Sequence, residues 1–511
     1  MPRFFVWFFA CCGLVLSTLP VQAQGDEAAA FEPYDAWFVM RMNGEKVGYM
    51  HTLMAIDAQG RIVTTTEMRM TIARGAQSLT IEQGSTFVES ADFVPIEATS
   101  RTLLATIATE QRLVFGADGW ELTTSSGGRS NTQALPVPEG DWLTPAGAMA
   151  YAEAALARGD HEIEMTTFDL SSGTSPVTTV MTREEVGEVE VFGRTVPATR
   201  WSATTDLMPG VEMEQWIDGR GQAVRQSVPL MPGMEIEVLL ADRALALAEF
   251  DAPEVMASTM IRPDRVIENP RRLSRAVYEI SGEGLDAIDR DQVPTAGFQV
   301  VEWVDEDTMR ITIDLSHQTP GPGLGGDAAS YLAATSALDH EDEAVAVLVE
   351  RSLQDAGRAE GLRVAEACRD FVRGFIDAKN LSVGFATASE VARTAEGDCT
   401  EHGVLLAAML RGADIPSRTV TGIVYADQFL GGRDIFGYHM WTQAWIETGE
   451  GQGVWVDLDA AFPGQVNGFD ATHIALSTSP QSDDAMVNDM VAMLPLMNGL
   501  EIKVIELEWT E

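Results

Sequence analysis

The sequence predicts an α+β protein, with a long antiparallel β-rich N-terminal region and a C-terminal region of helices followed by strands. Between residues 36 and 245, short alternating runs are separated by glycine-containing turns such as Asn43-Gly44, a pattern typical of strands joined by hairpins. One helix, at 145–158, interrupts this pattern. After a linker at 319–327, apolar residues first recur at the spacing of a helix and then at alternate positions, as in strands. The length of 511 residues, 45% of them hydrophobic, predicts about three domains.

The first residues have the features of an export signal. Arg3 precedes an apolar stretch, and Val21-Gln22-Ala23 is an A-x-A-like cleavage site. We therefore expect a periplasmic or secreted protein with no stable membrane span after cleavage. The predicted segments are a signal peptide (1–23), a β-rich domain (24–250), a small β-containing intermediate domain (251–318), the linker (319–327) and a C-terminal domain (328–511).

The charge balance excludes one class of partner. The chain has 34 Lys and Arg against 77 Asp and Glu, a formal net charge of −43. Nucleic acid is not expected as a partner, because phosphates would be repelled. Cationic peptides or amines would be attracted by the same field. No cofactor is predicted. No EF-hand-type loop is present, so calcium dependence cannot be inferred. The oligomeric state also stays open.

The four cysteines fall into two groups. Cys11 and Cys12 lie inside the predicted signal, so the mature chain keeps Cys368 and Cys399. Cys368 lies among apolar residues of a predicted helix and is expected to be buried. Cys399 follows Asp398, a good helix N-cap, so the helix start is expected to favour its thiolate. A disulfide between these two cysteines is the alternative.

A candidate base lies downstream of Cys399. His439 belongs to an alternating run at 438–446, and a second run at 454–459 follows a glycine-containing turn. The two runs predict a hairpin that places His439 beside an aspartate on one face. Asp457 and Asp459 share that face, and the pattern alone does not choose between them.

Two other histidines, His402 and His473, belong to the same region of the sequence. Cys399, His402 and His439 together could ligate zinc, although a fourth ligand is not evident. We interpret His402 as structural and His473 as a strand-face residue. No metal site is therefore predicted.

These segments together resemble the transglutaminase-like superfamily, whose catalytic core is papain-like. The resemblance rests on Gly397 to His402 before an apolar helix, Gly412 to Arg418, His439 to Trp441, and Trp455 to Ala460. It extends over about 328–504. The β-rich region resembles the half-barrel sheets that accompany this domain in exported bacterial proteins.

The resemblance implies a catalytic triad of Cys399, His439 and Asp459, with Asp457 in reserve. Such an enzyme attacks amide or peptide bonds of a protein or peptide substrate and forms a thioester acyl-enzyme. Release by water would make it a peptidase or amidase, the preferred expectation, and release by an amine would make it a crosslinking acyltransferase. The alternative is a non-catalytic protein-binding or assembly module on the same fold.

Overall fold

In the computed structural model the described residues form two compact units, one within 33–73 and 78–253 and the other from 74, 77 and 254–510. The structure describes residues 33–510 except 75–76, 105–106, 117–118, 127–128, 209–210, 232–233, 255–258, 283–284, 286–287, 289, 325–327, 357–359, 378–385, 430, 450–451, 483–495 and 497–498. The predicted signal peptide lies outside the described residues. Within the described ranges, no helix is both long and apolar enough to cross a membrane.

In the N-terminal unit, fourteen strands of the described chain form one sheet in the order β8-β7-β6-β5-β4-β3-β2-β1-β14-β13-β12-β11-β10-β9. Neighbours along the chain therefore pair, and β1 joins the two meanders by pairing antiparallel with β14. The strands are β1 (Tyr34–Met42), β2 (Glu45–Ile56), β3 (Ile62–Arg74), β4 (Gln77–Glu89), β5 (Pro95–Leu104), β6 (Ile107–Gly116), β7 (Gly119–Ser126), β8 (Arg129–Leu135), β9 (Glu162–Thr167), β10 (Val177–Val191), β11 (Arg194–Thr205), β12 (Met213–Asp218), β13 (Ala223–Met231) and β14 (Met234–Ala241).

Local sequence accounts for individual turns and for the buried face of strands in this sheet. Asn43 and Gly44 both have positive φ, 51° and 83°, as a tight turn between β1 and β2 requires. Along β3 the even-numbered residues from Ile62 to Ile72 are buried, while Glu67 and Arg69 are exposed, which is the period-two pattern of a sheet with one covered face. The predicted antiparallel β-rich region is confirmed.

Helix α1 (Pro145–Arg158) also agrees with the prediction. The Thr144 side chain accepts a hydrogen bond from the Gly147 N–H, and Gly159 ends the helix with a left-handed φ of 79°, so both helix ends are capped. A short helix, α2 (Arg243–Ala246), follows the sheet.

In the C-terminal unit the described strands form two four-stranded sheets, in the orders β16-β17-β15-β22 and β20-β19-β18-β21. The first sheet joins part of the segment 251–318 to the last strand of the chain, because β15 pairs with β22. The elements are β15 (Leu273–Ser281), β16 (Gln299–Trp303), β17 (Thr308–Asp314), α3 (Glu343–Ala356), α4 (Leu362–Phe375), α5 (Ala388–Thr394), α6 (Cys399–Gly412), β18 (Ser417–Phe429), β19 (Gly432–Gly449), β20 (Gln452–Leu458), β21 (Ile474–Ser479) and β22 (Glu501–Trp509).

Helix α6 is the buried centre of this unit. Every residue from Glu401 to Arg411 is buried, and the helix contacts α3, α4, α5, β18 and β19. Its apolar run thus has neighbours on all sides, as expected for a helix without a polar face. The Thr442 hydroxyl donates to the Gly403 carbonyl at 2.9 Å, which fixes the first turns of α6 against β19.

Glu89 is a buried carboxyl at the start of α1. Its side chain accepts a hydrogen bond from the Ala146 N–H at 3.1 Å and is hydrogen-bonded to the Thr144 hydroxyl. Burial raises its pKa from 4.5 to about 7, although both hydrogen bonds act in the opposite direction. The folded protein therefore keeps this proton at a pH where the unfolded chain releases it.

We expect Glu89→Gln to remove a pH dependence of stability. Because the folded-state pKa is the higher one, the wild type loses stability as pH rises from 4.5 towards 7. The neutral amide has no such titration. The free energy of unfolding of the wild type should fall relative to that of the variant by about 3 kcal/mol between about pH 5 and pH 8. Urea titrations followed by tryptophan fluorescence measure this difference, and a difference independent of pH would contradict the assignment.

Candidate active site

His439 and Asp459 form a buried hydrogen-bonded pair. His439 lies on β19, and Asp459 is the first residue after β20. The His439 Nε2 is 2.6 Å from the Asp459 Oδ2, and the two residues are 5% and 1% exposed. With Nε2 bonded to the carboxylate, Nδ1 is the nitrogen of His439 that can exchange a proton with a third group.

The backbone around Asp459 orients its carboxylate. The other oxygen, Oδ1, accepts hydrogen bonds from the N–H groups of Ala461 and Phe462 at 2.6 and 3.2 Å. The buried Arg369 guanidinium bonds the Asp459 carbonyl at 2.7 Å and the Phe462 carbonyl at 2.8 Å. The turn that carries the carboxylate is therefore held from both sides.

The structure distinguishes the two aspartates that strand pattern left open. Asp457 accepts hydrogen bonds from the side chains of Trp441 and Gln443 at 2.9 and 2.8 Å, and its other oxygen accepts from the Phe298 N–H at 3.2 Å. Asp457 therefore links β20 to β19 and to the residue before β16. Of the two aspartates, only Asp459 is hydrogen-bonded to His439.

Cys399 is the first residue of α6, as predicted, and is partly exposed. The backbone N–H of Met440, the residue after His439, acts on this thiol and lowers its pKa. The thiol thus lies against the strand that carries His439. Cys368 and Cys399 are both free thiols, so the alternative of a disulfide between them is wrong. Cys368 is fully buried in α4, as expected.

The prediction that the helix start favours a Cys399 thiolate is wrong. Burial, followed by the Asp398 carboxylate, raises the pKa of the Cys399 thiol above its ordinary value, although the Met440 N–H acts in the opposite direction. The physical reason is the burial of the thiol, followed by the Asp398 carboxylate of the capping box at the helix start. Asp398 accepts from the Thr400 N–H, and Glu401 accepts from the Asp398 N–H at 2.8 Å, so two carboxyl groups occupy the positive end of the helix.

Glu401 itself is held mainly in its neutral form. It is fully buried, and burial, followed by the charge of Asp398, raises its pKa to about 8. Its other oxygen accepts from the Ala386 N–H at 3.1 Å. Sequence reasoning did not identify this role, although the spacing of Asp398 and Glu401 is that of a capping box.

His473 is a site residue that sequence reasoning missed. It was expected on a strand face, but it lies one residue before β21 and is fully buried. Its Nε2 is 3.1 Å from the Asp459 Oδ2, the oxygen that also bonds His439. Burial alone would raise the pKa of Asp459, but the two histidines hold it well below its ordinary value. A single His in a loop carries no pattern from which this contact could be predicted.

The zinc alternative does not match the described side chains. The group of potential ligand atoms that they bring within 4.8 Å of one another is His439, Asp459 and His473, not Cys399, His402 and His439. Its Nε2–Oδ2 separations are those of direct hydrogen bonds. His402 is buried, and its Nδ1 is 2.6 Å from the Asp398 carbonyl.

The arrangement contains the parts of nucleophilic acyl transfer. A thiol lies beside a histidine-bearing strand, and a buried carboxylate orients that histidine. The raised pKa of the thiol means that attack requires proton transfer to a base.

Three solved structures resemble the chain at low identity. They are a β-barrel-like protein of a domain of unknown function from Brucella abortus (14% identity, TM-score 0.33, covering 42% of this chain and 98% of the other), a protein from Cytophaga hutchinsonii named provisionally as a cysteine protease (14%, 0.26, 47% and 85%), and one from Parabacteroides distasonis named provisionally as a protease (9%, 0.17, 74% and 69%). No curated protein matches the sequence.

A family model identifies the region that carries the site. The model of the transglutaminase-like superfamily matches residues 351–460, which include Cys399, His439 and Asp459. The family predicted from the motifs and the α+β fold class are both confirmed. This part of the chain therefore belongs to the transglutaminase-like superfamily.

Proposed function

We propose that the protein is a cysteine enzyme that hydrolyses amide or peptide bonds of a protein or peptide substrate through a thioester on Cys399. The observation that carries the proposal is the buried 2.6 Å pair of His439 and Asp459. Cys399 lies close to this pair, since the N–H of Met440, the residue after His439, acts on the Cys399 thiol. The membership of residues 351–460 in the transglutaminase-like superfamily supports the same chemistry.

In the first half-reaction, His439 Nδ1 takes the proton of the Cys399 thiol as the sulfur attacks the substrate carbonyl carbon. A C–S bond forms, the C–N bond breaks, and His439 returns the proton to the leaving amine. Asp459 stabilises the imidazolium that exists between these two transfers. The backbone N–H of Cys399, at the start of α6, is the proposed donor to the oxyanion.

In the second half-reaction, water attacks the thioester while His439 accepts its proton. The C–S bond breaks, His439 returns the proton to the sulfur, and the product leaves as a carboxylic acid that loses its own proton to water. An amine in place of water would give an isopeptide or substituted amide, which is the crosslinking outcome. The proposed setting is outside the cytoplasm, on the sequence pattern of residues 1–23.

A peptide library tests this proposal directly. We expect the wild type to give cleaved or deamidated peptides, because water is the proposed acceptor, and Cys399→Ala to give none. Mass spectrometry scores cleavage, deamidation and amine incorporation in the same sample. Cys368→Ala is the matched control and should retain the products, since Cys368 is buried in α4 with its sulfur 3.5 Å from the Ser352 hydroxyl. Identical spectra for wild type and Cys399→Ala would favour a non-catalytic binding or assembly module.

The two aspartates provide a second test. Asp459→Asn should lower kcat/KM for a peptide from that library by a factor of about 100 or more, because the amide cannot hold the imidazole in the same tautomer. Asp457→Asn should stay within a factor of about 10, because Asp457 bonds Trp441 and Gln443 and not His439.

Thermal unfolding provides the control for both substitutions. Each variant must show a cooperative transition before its rate is compared with that of the wild type. Equal losses of kcat/KM in the two folded variants would contradict the separate roles of the two aspartates.

A further inference from the structure

The covered face of the N-terminal sheet contains polar side chains that no neighbouring group satisfies. Within the described residues, no hydrogen-bond partner lies in reach of the Thr52 and Thr64 hydroxyls or of either amide atom of Gln83. The three residues are 3%, 8% and 3% exposed. Buried polar groups of a native fold normally bond protein or water, so these four atoms require an explanation.

The three residues lie on neighbouring strands. Thr52 on β2 is directly opposite Thr66 on β3, and Thr64 is two residues from Thr66 on the same face. Gln83 lies on β4, the strand next to β3, and shares its buried face with Ile81. Thr52, Thr64 and Gln83 thus form one polar patch that spans three adjacent strands.

Other polar side chains of the same sheet bond one another across strands. The hydroxyls of Thr71 on β3 and Thr80 on β4 are 3.0 Å apart. Thr52 is also directly opposite a threonine, Thr66, yet its hydroxyl bonds neither this residue nor any other described group. The polar patch is therefore not an ordinary threonine ladder, and its atoms are available to a group that the sheet does not supply.

Methionines surround the polar patch. Among the described residues, eleven of the thirteen buried methionines belong to the N-terminal unit. Met54 is directly opposite Thr64, and Met50 is opposite Met68. Unbranched methionine side chains repack readily and are common on surfaces that adapt to a ligand. An adaptable apolar lining with a few polar groups is the usual composition of a small-molecule site.

The covered face offers no positive charge to an anion. In the described part of the N-terminal unit, no Arg or Lys is buried. A phosphate, sulfonate or carboxylate brought to this face would be an unpaired buried charge, which costs far more than the burial of a neutral group. The Gln83 amide, by contrast, offers both donors and an acceptor to an uncharged group. The polar patch therefore favours a neutral ligand.

We propose that the covered face of the N-terminal sheet binds a neutral amphiphile, a long alkyl or acyl chain that ends in an uncharged amide or hydroxyl group. The head group bonds Thr52, Thr64 and Gln83, and the chain lies among the methionines. The four polar atoms are closed to solvent, so entry requires methionine side chains to change rotamer. The inference goes beyond the proposed function, whose chemistry uses none of these residues.

A fluorescence displacement titration of the full chain tests this binding. The Cys399→Ala variant is the parent protein, so that an amide probe is not hydrolysed at the proposed active site. Dodecanamide should displace the neutral fluorescent probe N-phenyl-1-naphthylamine along a saturating curve. Dodecanesulfonate has the same chain length and a permanent charge, and it should bind weaker by a factor of about 10 or more, because that charge would be unpaired.

Gln83→Leu in the same parent tests the position of the head group. The variant keeps a side chain of similar size and removes both amide atoms, so dodecanamide should bind about tenfold more weakly, while N-phenyl-1-naphthylamine still binds. Without ligand, its Tm should be higher than that of the parent, because an unpartnered buried amide is lost. Gln59→Leu, which changes an exposed glutamine, is the matched control and should bind dodecanamide like the parent.

Three results would overturn the inference. If dodecanamide does not displace the probe, the polar patch holds ordered water only. If folded Gln83→Leu binds dodecanamide as tightly as the parent, the head group lies elsewhere, and Thr52→Val makes the same comparison should Gln83→Leu not fold. If dodecanesulfonate binds as tightly as dodecanamide, the ligand is not of the neutral class. Peptide turnover is no readout here, so this inference and the proposed function fail independently.

Discussion

The burial of the Asp459 charge is the constraint on which the site depends. A carboxylate removed from water must be compensated by donors or opposite charges, and removal of one partner of a buried pair costs about 3–5 kcal/mol. Asp459 has four donors: two backbone N–H groups and two imidazoles. Its position therefore determines where His439 and His473 must lie.

The turn after β20 is adapted to that position. A side chain at Gly468 would collide with the Asp459 carbonyl and with Arg369, and Gly468 also has a left-handed φ of 82°, which glycine adopts readily. Arg369 from α4 closes the same turn through two carbonyls. The contacts of Arg369 therefore both pack α4 against this turn and help to orient the Asp459 carboxylate.

Cys399 reaches this centre through a different set of contacts. Helix α6 is apolar over most of its length and packs against β19, with a Gly403 that allows the close approach of Met440. Burial of the thiol, followed by the Asp398 carboxylate at the helix start, favours the neutral thiol. In the proposed mechanism, the reactivity of Cys399 comes from proton transfer to His439 during attack and does not require a resting thiolate.

Much of this arrangement could be predicted from the sequence. The start of α6 at Asp398, the hairpin that carries His439, and helix α1 follow from capping residues and periodicity, which are local properties. Asp457 and Asp459 could not be separated, because alternate residues share a strand face and only their tertiary partners differ.

The remaining features depend on contacts between distant parts of the chain. The pairing of β1 with β14 joins residues about 200 positions apart, and no local pattern specifies it. The state of the Cys399 thiol depended on how completely α6 is buried. His473 is part of the site because it contacts Asp459 and Asp470, and Asp470 is held by Arg271, although no spacing in the sequence links these residues.

Trapping the acyl-enzyme tests the chemistry of Cys399 most directly. The protein would be mixed with p-nitrophenyl acetate, quenched in acid and analysed by intact mass and peptide mapping. We expect an acetyl group on Cys399 in the wild type, none on the buried Cys368, and strongly reduced acetylation of Cys399 in His439→Ala. Absence of acetylation at Cys399 in the wild type would contradict the proposed role of Cys399 as the nucleophile. Acetylation that His439→Ala leaves unchanged would contradict the proposed role of His439 as its base.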